Sequence, residues 1–261
     1  MGNYGWGRCE FVYEDWEIKI NKYIKAVAVL LCFGLSACGT LKEYKKDDPF
    51  EDINRGVHQF NLILDSNIVR PVAVNYVAFV KDDVRLAVAN VAENLSTPGY
   101  VANNLLQGDL QSALDNTLKF FINSTLGLGG IGKPAENFGI SGEEADFGET
   151  LHNWGFKEGP FLVIPVLGPS TTRGLLGATG DLVLDPLGYL SEQLQIFAYS
   201  IRAADIIGDR GAFADSVDSI LYGSTDSYHQ MKIIFLQARR FELDGNEDHD
   251  YFDPYDELFE E

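Results

Sequence analysis

The sequence predicts a mainly α-helical protein. Apolar residues recur at spacings of three and four along several segments, whereas the alternation typical of strands is scarce. Proline and glycine separate these segments where helices are expected to end. Of the 261 residues, 46% are hydrophobic and 23% are charged, which is the composition of a folded globular chain and not of a disordered or fibrous one.

Residues 1–37 indicate an export signal. Three lysines precede a twelve-residue apolar stretch, Ala26 to Ala37. As a helix this stretch would rise only about 18 Å, too little to cross the ~30 Å hydrocarbon core, so we interpret it as a signal and not as an anchor. Residues 1–18 fit poorly because they contain four acidic side chains, as expected if the start codon is placed too early.

Residues 35–38, Leu-Ser-Ala-Cys, resemble the bacterial lipobox, whose cysteine is acylated and becomes the mature N-terminus. The sequence thus predicts acylation of Cys38 and a lipidated linker over residues 38–47. The alternative is a chance cysteine after small residues. Position 39 is Gly and not Asp, which in lipoproteins of this kind implies sorting to the outer membrane. Because all three cysteines lie within the first 38 residues, a disulfide framework and a Cys-based zinc site are excluded.

The predicted helical domain spans residues 48–241 and begins with an amphipathic helix. Asp48 is a suitable N-cap, and Pro49 suits the first helical position. One apolar stripe then continues to about Asp65 and consists of Phe50, Ile53, Val57, Phe60 and Leu64.

Prolines divide the next part of the predicted domain. Pro71 is expected to break the chain and to start a second helix, which is apolar through Val80. A third helix opens at Asp82 and continues to about Leu95, after which Pro98 is expected to break the chain again.

Asp109 is expected to cap the following helix, which ends at the glycines beginning with Gly127. Its apolar residues are Leu110, Ala113, Leu114, Leu118, Phe121 and Ile122. Later helical patterns lie at about Ser191 to Ile207, Gly211 to Leu221 and Asp226 to Phe241. Only Phe161 to Leu167, with its β-branched residues, favours an extended segment.

The end of the chain is strongly acidic. Residues 241–261 contain ten carboxylates and no Lys or Arg, which predicts a solvated or disordered tail over residues 242–261. Because the tail also contains four aromatic residues, docking on a basic partner stays open as an alternative. The formal net charge of -19 would repel nucleic-acid phosphates, so a nucleic-acid partner is excluded.

A glycine-rich segment, residues 127–132, comes close to two nucleotide-binding motifs. It supplies G-x-x-x-x-G-K, but Pro134 stands where Ser or Thr would bind magnesium. It also matches G-x-G-x-x-G, although a helix and not a strand is expected before it. The simple interpretation is a flexible turn. The sharper one is a tight hairpin whose Leu126, Leu128 and Ile131 face an apolar environment.

No catalytic or metal-binding motif is complete. The histidines, at positions 58, 152, 229 and 249, do not form H-E-x-x-H, and G-x-S-x-G is absent. The acidic residues Glu143, Glu144, Asp146 and Glu149 lie in a Gly-flanked polar stretch, which favours a solvated loop over catalytic carboxylates. His152 has no Ser or Cys partner nearby in sequence. The sequence therefore predicts neither an enzyme nor a cofactor or metal site.

Several blocks, in order behind the lipobox, resemble the MlaA/VacJ family of outer-membrane lipoproteins. They are DPFEDINR at 48–55, IVRPVAV at 68–74, NNLLQGD at 103–109, FFINSTLGLGG at 120–130, DFGETL at 146–151, GPFLVIP at 159–165 and GPSTTR at 168–173. A weaker similarity continues through residues 224–240.

This resemblance implies an all-helical, ring-shaped lipoprotein, anchored by lipid at the periplasmic face of the outer membrane and associated with trimeric porins. It implies an amphipathic channel that removes mislocalised phospholipids from the outer leaflet. A soluble periplasmic carrier would receive them and deliver them to an inner-membrane ABC transporter complex. Such transport needs no nucleophile, metal or cofactor. We expect the lipid path to include Leu126, Leu128, Gly129, Gly130, Ile131, Phe138 and Phe161.

Two positions depart from the family pattern. Gly174 stands where members usually carry Asp, which puts a local cap or ion pair in doubt, and Ser227 replaces the usual Pro.

Two other functions stay open. A lipid-modifying hydrolase would need a hidden nucleophile, such as Ser141 or Ser170 with His152, whereas a purely structural periplasmic lipoprotein would need only the anchor and a core.

Overall fold

The computed structural model describes residues 48–244, and the mainly α-helical prediction is confirmed. The first half contains α1 (Glu51–Leu64), a π-helical turn (Asp65–Val69), α2 (Arg70–Phe79), α3 (Asp82–Gln107), α4 (Leu110–Thr125), α5 (Pro134–Asn137) and α6 (Phe147–Asn153). The second half contains β1 (Phe161–Ile164), β2 (Gly168–Thr171), α7 (Thr172–Leu184), a 3-10 turn (Pro186–Tyr189), α8 (Glu192–Ala212), α9 (Ala214–Leu221) and α10 (Ser227–Asp244).

Helix α1 begins later than the sequence suggested. Its N-cap residue is Phe50, whose carbonyl accepts the Asn54 N–H at 2.8 Å, so the predicted cap at Asp48 is wrong. No side chain caps this end. Instead, Glu51 and Asp52 place carboxylates in the first turn, where they interact favourably with the helix dipole.

Pro71 does not break the chain, contrary to the prediction. The segment from α1 to α2 stays helical, and the Arg70 N–H donates to the Asp65 carbonyl five residues earlier. A proline inside a regular helix removes one hydrogen bond and clashes with the preceding turn. The wider π-helical turn ends at Val69, and α2 starts afresh at Arg70 with the proline in its first turn.

Pro98 also lies inside a helix, so the predicted end of the third helix near Leu95 is wrong. Helix α3 continues to Gln107. The Leu95 carbonyl, in the turn that Pro98 disturbs, accepts Arg202 Nη2 of α8 at 3.0 Å. A partner distant in sequence therefore satisfies a carbonyl next to the proline.

The extended segment predicted from Phe161 is confirmed as far as Ile164. Strand β1 pairs with β2 in antiparallel register, Phe161 opposite Thr171 and Ile164 opposite Gly168. The second strand was not predicted because Gly-Pro-Ser-Thr carries no strand pattern. Its pairing with β1 comes from the tight turn between them.

Two asparagines of α1 hold this hairpin. Asn54 Nδ2 donates to the Phe161 carbonyl at 3.0 Å, and its Oδ1 accepts the Val163 N–H at 2.9 Å. Asn61 makes the equivalent pair of bonds with Ile164 and Val166, at 3.0 Å and 2.8 Å. The side-chain amides of Asn54 and Asn61 thus bond to backbone groups along the free edge of β1, where a third strand would otherwise pair.

An apolar cluster joins α1, the hairpin and α10. Its buried members are Phe161, Val163 and Tyr228, and Val57, Met231, Phe235 and Leu236 pack against them. Arg55 covers the Tyr228 ring, with its Cζ atom 4.5 Å from the ring centroid. This cluster fixes α10 against the first helix.

Small residues allow other helices to approach closely. A Cβ atom at Gly211 of α8 would lie 2.3 Å from the Ala73 carbonyl of α2, and one at Gly177 of α7 would lie 2.6 Å from Gly148 of α6. Helix α7 was not predicted from the sequence. The three later helices that were predicted from periodicity are all confirmed, with shifted ends.

Several predictions concern residues outside the described range of 48–244. They are the signal, the acylation of Cys38, the linker and the part of the acidic tail after Asp244. Helix α10 itself continues past residue 241, where the helical domain was predicted to end. Within the described residues, none of the helices combines the length and the apolar character needed to cross a membrane.

Candidate functional site

Residues 126–132, which we call the glycine turn, connect α4 to α5 along a left-handed backbone path. Leu128, Gly129 and Gly130 have successive φ angles of 56°, 77° and 98°. Glycine adopts such angles without steric cost, whereas residues with a Cβ atom rarely do. This geometry is unlike a phosphate-binding loop between a strand and a helix, because the turn follows helix α4.

Hydrogen bonds to both neighbouring helices hold the glycine turn. The N–H groups of Gly129 and Gly130 donate to carbonyls of α4, each at 2.9 Å. From α3, Asn90 Nδ2 donates to the Ile131 carbonyl at 3.0 Å. The glycine turn is therefore a hydrogen-bonded element with defined side-chain directions.

The large apolar side chains of this region lie on the surface. Leu126, Leu128 and Ile131 are 67%, 76% and 54% exposed, and Phe138, which follows α5, is 64% exposed. Leaving such side chains in water forgoes roughly 25 cal/mol for each Å² of apolar surface. Exposed apolar surface of this kind marks contact with another protein or with lipid.

Phe161 differs from the other residues predicted to lie on the lipid path. It is only 4% exposed and packs against Val163 and Tyr228 in the apolar cluster. The remaining six lie in the glycine turn or directly after α5. We therefore leave Phe161 out of the candidate site.

Helix α4 presents a second apolar surface. Leu110, Leu114, Leu118 and Phe121 are exposed and recur at spacings of three and four, so they form one stripe along the helix. We call these four residues the apolar stripe. It leads along α4 toward the glycine turn, which begins at the next residue after the helix ends.

The buried side of α4 is polar. Asn116, Lys119 and Asn123 are almost fully inaccessible, together with Ala113. Opposite them on α3 lie further buried asparagines, and we call the set the asparagine layer: Asn90, Asn94, Asn104, Asn116 and Asn123. A helix of a water-soluble domain normally buries its apolar face, so the arrangement of α4 is inverted.

The asparagine layer links α3 and α4 by direct hydrogen bonds. Asn116 Nδ2 donates to Asn104 Oδ1 at 2.9 Å, and Asn94 Nδ2 donates to Ser124 Oγ at 2.9 Å. Asn123 Oδ1 accepts the Ala135 N–H of α5 at 3.0 Å. These bonds offset part of the cost of burying the amides and fix the two helices in one register, whereas the Oδ1 atoms of Asn94 and Asn116 have no hydrogen-bond partner among the described residues.

A charged cluster lies between the same helices. Lys119 Nζ is 2.6 Å from Glu93 Oε1, and Lys133 pairs with the other carboxylate oxygen of Glu93. Burial alone would raise the pKa of Glu93, but the hydrogen bonds from the two lysines lower it below its ordinary value. Glu93 thus stays ionised and ties α3 to α4 and to the end of the glycine turn.

The acidic stretch before α6 is only partly the solvated loop that was predicted. Glu143 and Glu144 are exposed. Asp146, in contrast, caps α6 by accepting the Glu149 N–H at 2.7 Å and also pairs with Arg239 of α10. Burial raises the pKa of Glu149, so that carboxyl group is not simply solvated.

Both departures from the family pattern have local explanations. The Gly174 N–H donates to Thr171 Oγ1 at 3.1 Å, so Thr171 caps α7 without an acidic residue at position 174. The Ser227 hydroxyl lies 2.9 Å from His58 Nε2, a contact that proline could not make. Burial lowers the pKa of His58, which favours the neutral ring.

The residues suggested for a hydrolase make structural contacts. His152 Nδ1 is 3.0 Å from Arg173 Nη1, and Ser170 Oγ donates to the Thr171 carbonyl at 3.3 Å. Among the described residues, no three His, Cys, Asp or Glu side chains are grouped so that they could hold a metal ion.

Sequence reasoning found the glycine turn but missed the asparagine layer and the charged cluster. A signal was present, since Asn90 and Asn94 are four residues apart and Asn116 and Asn123 are seven apart. Those spacings place each pair on one face of a helix. Polar residues repeated along one helical face, beside an apolar face, could therefore have suggested an inverted helix.

Comparison with known proteins gives concordant matches. A family model described as MlaA lipoprotein matches residues 46–242. The intermembrane phospholipid transport system lipoprotein MlaA of Escherichia coli (strain K12) is 30% identical over 234 residues, which cover 88% of this chain and 91% of that protein. An uncharacterized protein of Rickettsia felis is 32% identical over 207 residues, 79% of this chain and 80% of its own length.

A solved structure has the same fold. It comes from work on the structural basis for maintenance of bacterial outer membrane lipid asymmetry. The two chains are 30% identical and superpose with a TM-score of 0.64, over 75% of this chain and 98% of the other.

Proposed function

Because the chain belongs to the MlaA lipoprotein family, we propose that it removes mislocalised phospholipids from the outer leaflet of the outer membrane. The general role, that of a lipoprotein in phospholipid transport, accords with relatives named for intermembrane phospholipid transport. The finer proposal concerns the route. Phospholipid passes through an amphipathic channel and is handed to a soluble periplasmic carrier.

The inverted helix α4 carries this proposal. Its apolar stripe is exposed, whereas Asn116, Lys119 and Asn123 are buried. In lipid an apolar exterior is stabilising and polar groups are satisfied inside the protein. The helix therefore suits a site where acyl chains contact the outside and polar groups line the inside.

The glycine turn extends the same argument to the channel. Its exposed leucine and isoleucine side chains lie on a backbone that is held by Asn90 of α3. A rigid turn with apolar side chains can contact acyl chains, while the exposed polar side chains of Glu136 and Asn137, next to Phe138, can meet a headgroup. A phospholipid needs both environments along one path.

The proposed surroundings follow from the same reasoning. Acylation of Cys38 would anchor the protein at the periplasmic face of the outer membrane, because three acyl chains exceed the two signals needed for stable attachment. A trimeric porin is the proposed partner in the membrane. The soluble carrier would deliver phospholipid to an inner-membrane ABC transporter complex.

The decisive experiment measures outer-leaflet phospholipid in cells with and without this protein. We expect phospholipid to accumulate in the outer leaflet when the protein is absent and to return to normal when it is restored. A Cys38→Ser variant serves as the control, because it keeps the folded domain but lacks the acylation site. Unchanged lipid asymmetry in cells lacking the protein would contradict the proposal and favour a purely structural lipoprotein.

A second measurement addresses the hydrolase alternative. We expect the purified protein to carry intact phospholipid. Release of fatty acid or lysophospholipid that disappears in Ser170→Ala or His152→Ala variants would instead establish a lipid-modifying enzyme.

A further inference from the structure

A cleft of about 270 Å³ lies between α2, α3 and α8. Charged and aromatic side chains line it, among them Tyr76, Arg85, Asp205 and Asp209, together with apolar Leu86. It is separate from the glycine turn and from the apolar stripe. Its lining combines both signs of charge with apolar surface.

The two carboxylates from α8 are poorly compensated. Asp205 and Asp209 are four residues apart, so they lie on the same face of the helix, where like charges repel. Within residues 48–244, neither side chain forms a hydrogen bond or an ion pair. Burial raises the pKa of Asp205, and the charges of Asp209 and Glu93 raise it further, while the charge of Lys133 offsets only part of this effect. A cation in the cleft would relieve this repulsion.

Arg85 supplies the opposite charge. Its Nη2 atom is 2.7 Å from Asp82 Oδ1, but Asp82 is highly exposed and competes with water. The Arg85 Nε atom is buried and has no hydrogen-bond partner within residues 48–244. The Arg85 side chain keeps 21% of its accessible surface, so the outer nitrogens of its guanidinium group can bond to an anionic oxygen in the cleft.

The rim of the cleft is apolar. Leu86 lines the cleft and is 61% exposed, and the apolar residues Ala89, Ala204 and Ala212 line it as well. Gly208 lets the Tyr76 ring lie against α8, since a Cβ atom there would be 3.3 Å from Tyr76 Cε1. A ligand whose charged end fills the cleft would meet apolar side chains where it emerges.

We propose that this cleft binds the phosphoethanolamine headgroup of a zwitterionic phospholipid. Asp205 and Asp209 receive the ammonium group, and Arg85 binds the phosphate. The acyl chains leave past Leu86. This inference rests on the proposed function, in which phospholipid is the transported substrate, and it adds a preference among headgroups.

The chemistry of the cleft argues for an organic cation joined to an anion. A bare metal ion would meet Arg85, which repels it, and the described residues hold no metal-binding group. A phosphatidylglycerol headgroup could use Arg85 but would leave both aspartates without a cation. Only a headgroup with both charges satisfies all three side chains.

The test uses the purified full-length protein and vesicles that contain equal amounts of phosphatidylethanolamine and phosphatidylglycerol. After incubation the protein is reisolated, and its bound lipids are quantified. We expect phosphatidylethanolamine to be enriched about tenfold, as a single charge-assisted contact can provide. In the Asp205→Asn/Asp209→Asn variant the enrichment should be lost while total bound phospholipid stays the same.

Glu192→Gln is the matched control, because it removes an exposed carboxylate of the same helix outside the cleft. Its lipid enrichment should equal that of the unmodified protein. Equal binding of both lipids by the unmodified protein, or enrichment that survives in the double variant, would overturn the headgroup site but leave the transport proposal standing. Complete failure to bind phospholipid would contradict both proposals.

Discussion

Gly130 lies so close to Asn94 that a Cβ atom on Gly130 would be 2.6 Å from the Asn94 Cβ atom. Asn94 itself is fixed by its hydrogen bond to Ser124 Oγ at 2.9 Å. The turn therefore cannot accept a side chain at position 130 without moving away from α3. Gly129, one residue earlier, has nothing within 4 Å of its Cβ position.

This pair of glycines provides a matched test of the glycine turn. Gly130→Ala and Gly129→Ala both place alanine at positive φ, which destabilises the protein by about 1 kcal/mol each. Only Gly130→Ala also forces the turn away from Asn94. We expect normal abundance of both variants in the outer membrane, and accumulation of outer-leaflet phospholipid only in Gly130→Ala. Equal lipid phenotypes for the two variants would show that the position of the turn does not matter for transport.

Asn54 should be essential for stability. Asn54→Ala removes both side-chain bonds to β1 and leaves the Phe161 carbonyl and the Val163 N–H without these partners. This loss should lower the free energy of unfolding by roughly 2–3 kcal/mol. Asn67→Ala is the control, because Asn67 is exposed and bonds only within its own helical segment. Urea denaturation should show that Asn67→Ala lowers the free energy of unfolding by less than about 0.5 kcal/mol. Similar losses for the two variants would refute the role of Asn54 as an edge partner of the hairpin.

The inversion of α4 predicts opposite effects on its two faces. Leu118→Gln changes the apolar stripe, so we expect weaker binding to phospholipid vesicles in flotation assays and little change in thermal stability. Asn116→Ala removes the bonds from the buried amide to Asn104 and to the Glu143 carbonyl. It should lower the free energy of unfolding by roughly 2 kcal/mol while vesicle binding of the folded fraction is kept. Reversal of these two effects would mean that α4 buries its apolar face.

His58 should make stability depend on pH in the mildly acidic range. Burial lowers the pKa of His58 below its ordinary value of 6.5, so the unfolded chain takes up a proton at higher pH than the folded chain. Stability is then fully present above about pH 6.5 and decreases as the pH falls toward the folded pKa. We expect His58→Gln to reduce the loss of stability between about pH 7 and pH 5, measured by urea denaturation. An unchanged pH profile would exclude His58 as its source.

Asp226 acts in a different pH window. The hydrogen bond from Arg55 lowers the pKa of Asp226 to about 2. The ionised Asp226 therefore contributes fully to the stability of the fold above its ordinary pKa of 3.8. This contribution is lost only as the pH falls toward about 2. Asp226→Asn should abolish the loss of stability as the pH falls from about 4 toward 2, measured by urea denaturation. The charge of Asp226 also raises the pKa of His58, so the variant should enlarge the loss between about pH 7 and pH 5, which is opposite in sign to the effect of His58→Gln.

Periodicity identified most long helices but could not assign their inner faces. The apolar residues of α4 were recognised, yet Leu114 and Leu118 lie on the surface, because an apolar stripe suits a protein core and a lipid environment equally well. What distinguishes the two is the opposite face, where Asn116 and Asn123 are buried. The character of a helix is thus readable from sequence only when both faces are considered.

The errors at proline have a different cause. The energetic cost of Pro98 inside a helix is local, so it can be judged from the sequence alone. Support for this part of the helix comes from Arg202 of α8, which bonds from 107 residues away to the Leu95 carbonyl, next to the Asn94 carbonyl that Pro98 leaves without its helical donor. Without an indication of which residues meet in the fold, no local rule could have predicted that α3 continues.

The π-helical turn between α1 and α2 alters which residues face inward. In α1 the contacts to the hairpin and to α10 come from Asn54, His58 and Asn61, at ordinary helical spacing. A π-helical turn amounts to one added residue, which turns everything after it by about 100°.

Ala73, fully buried, therefore faces Gly211 of α8, while its neighbour Val72 is exposed. If residues 65–69 formed a regular α-helix instead, the larger Val72 would take the place of Ala73 against a helix that has no room for it. Deleting one of these five residues would keep Ala73 in place, because the π-helical turn already absorbs one residue. The width of this single turn therefore decides which face of α2 meets α8, independently of the side chains within it.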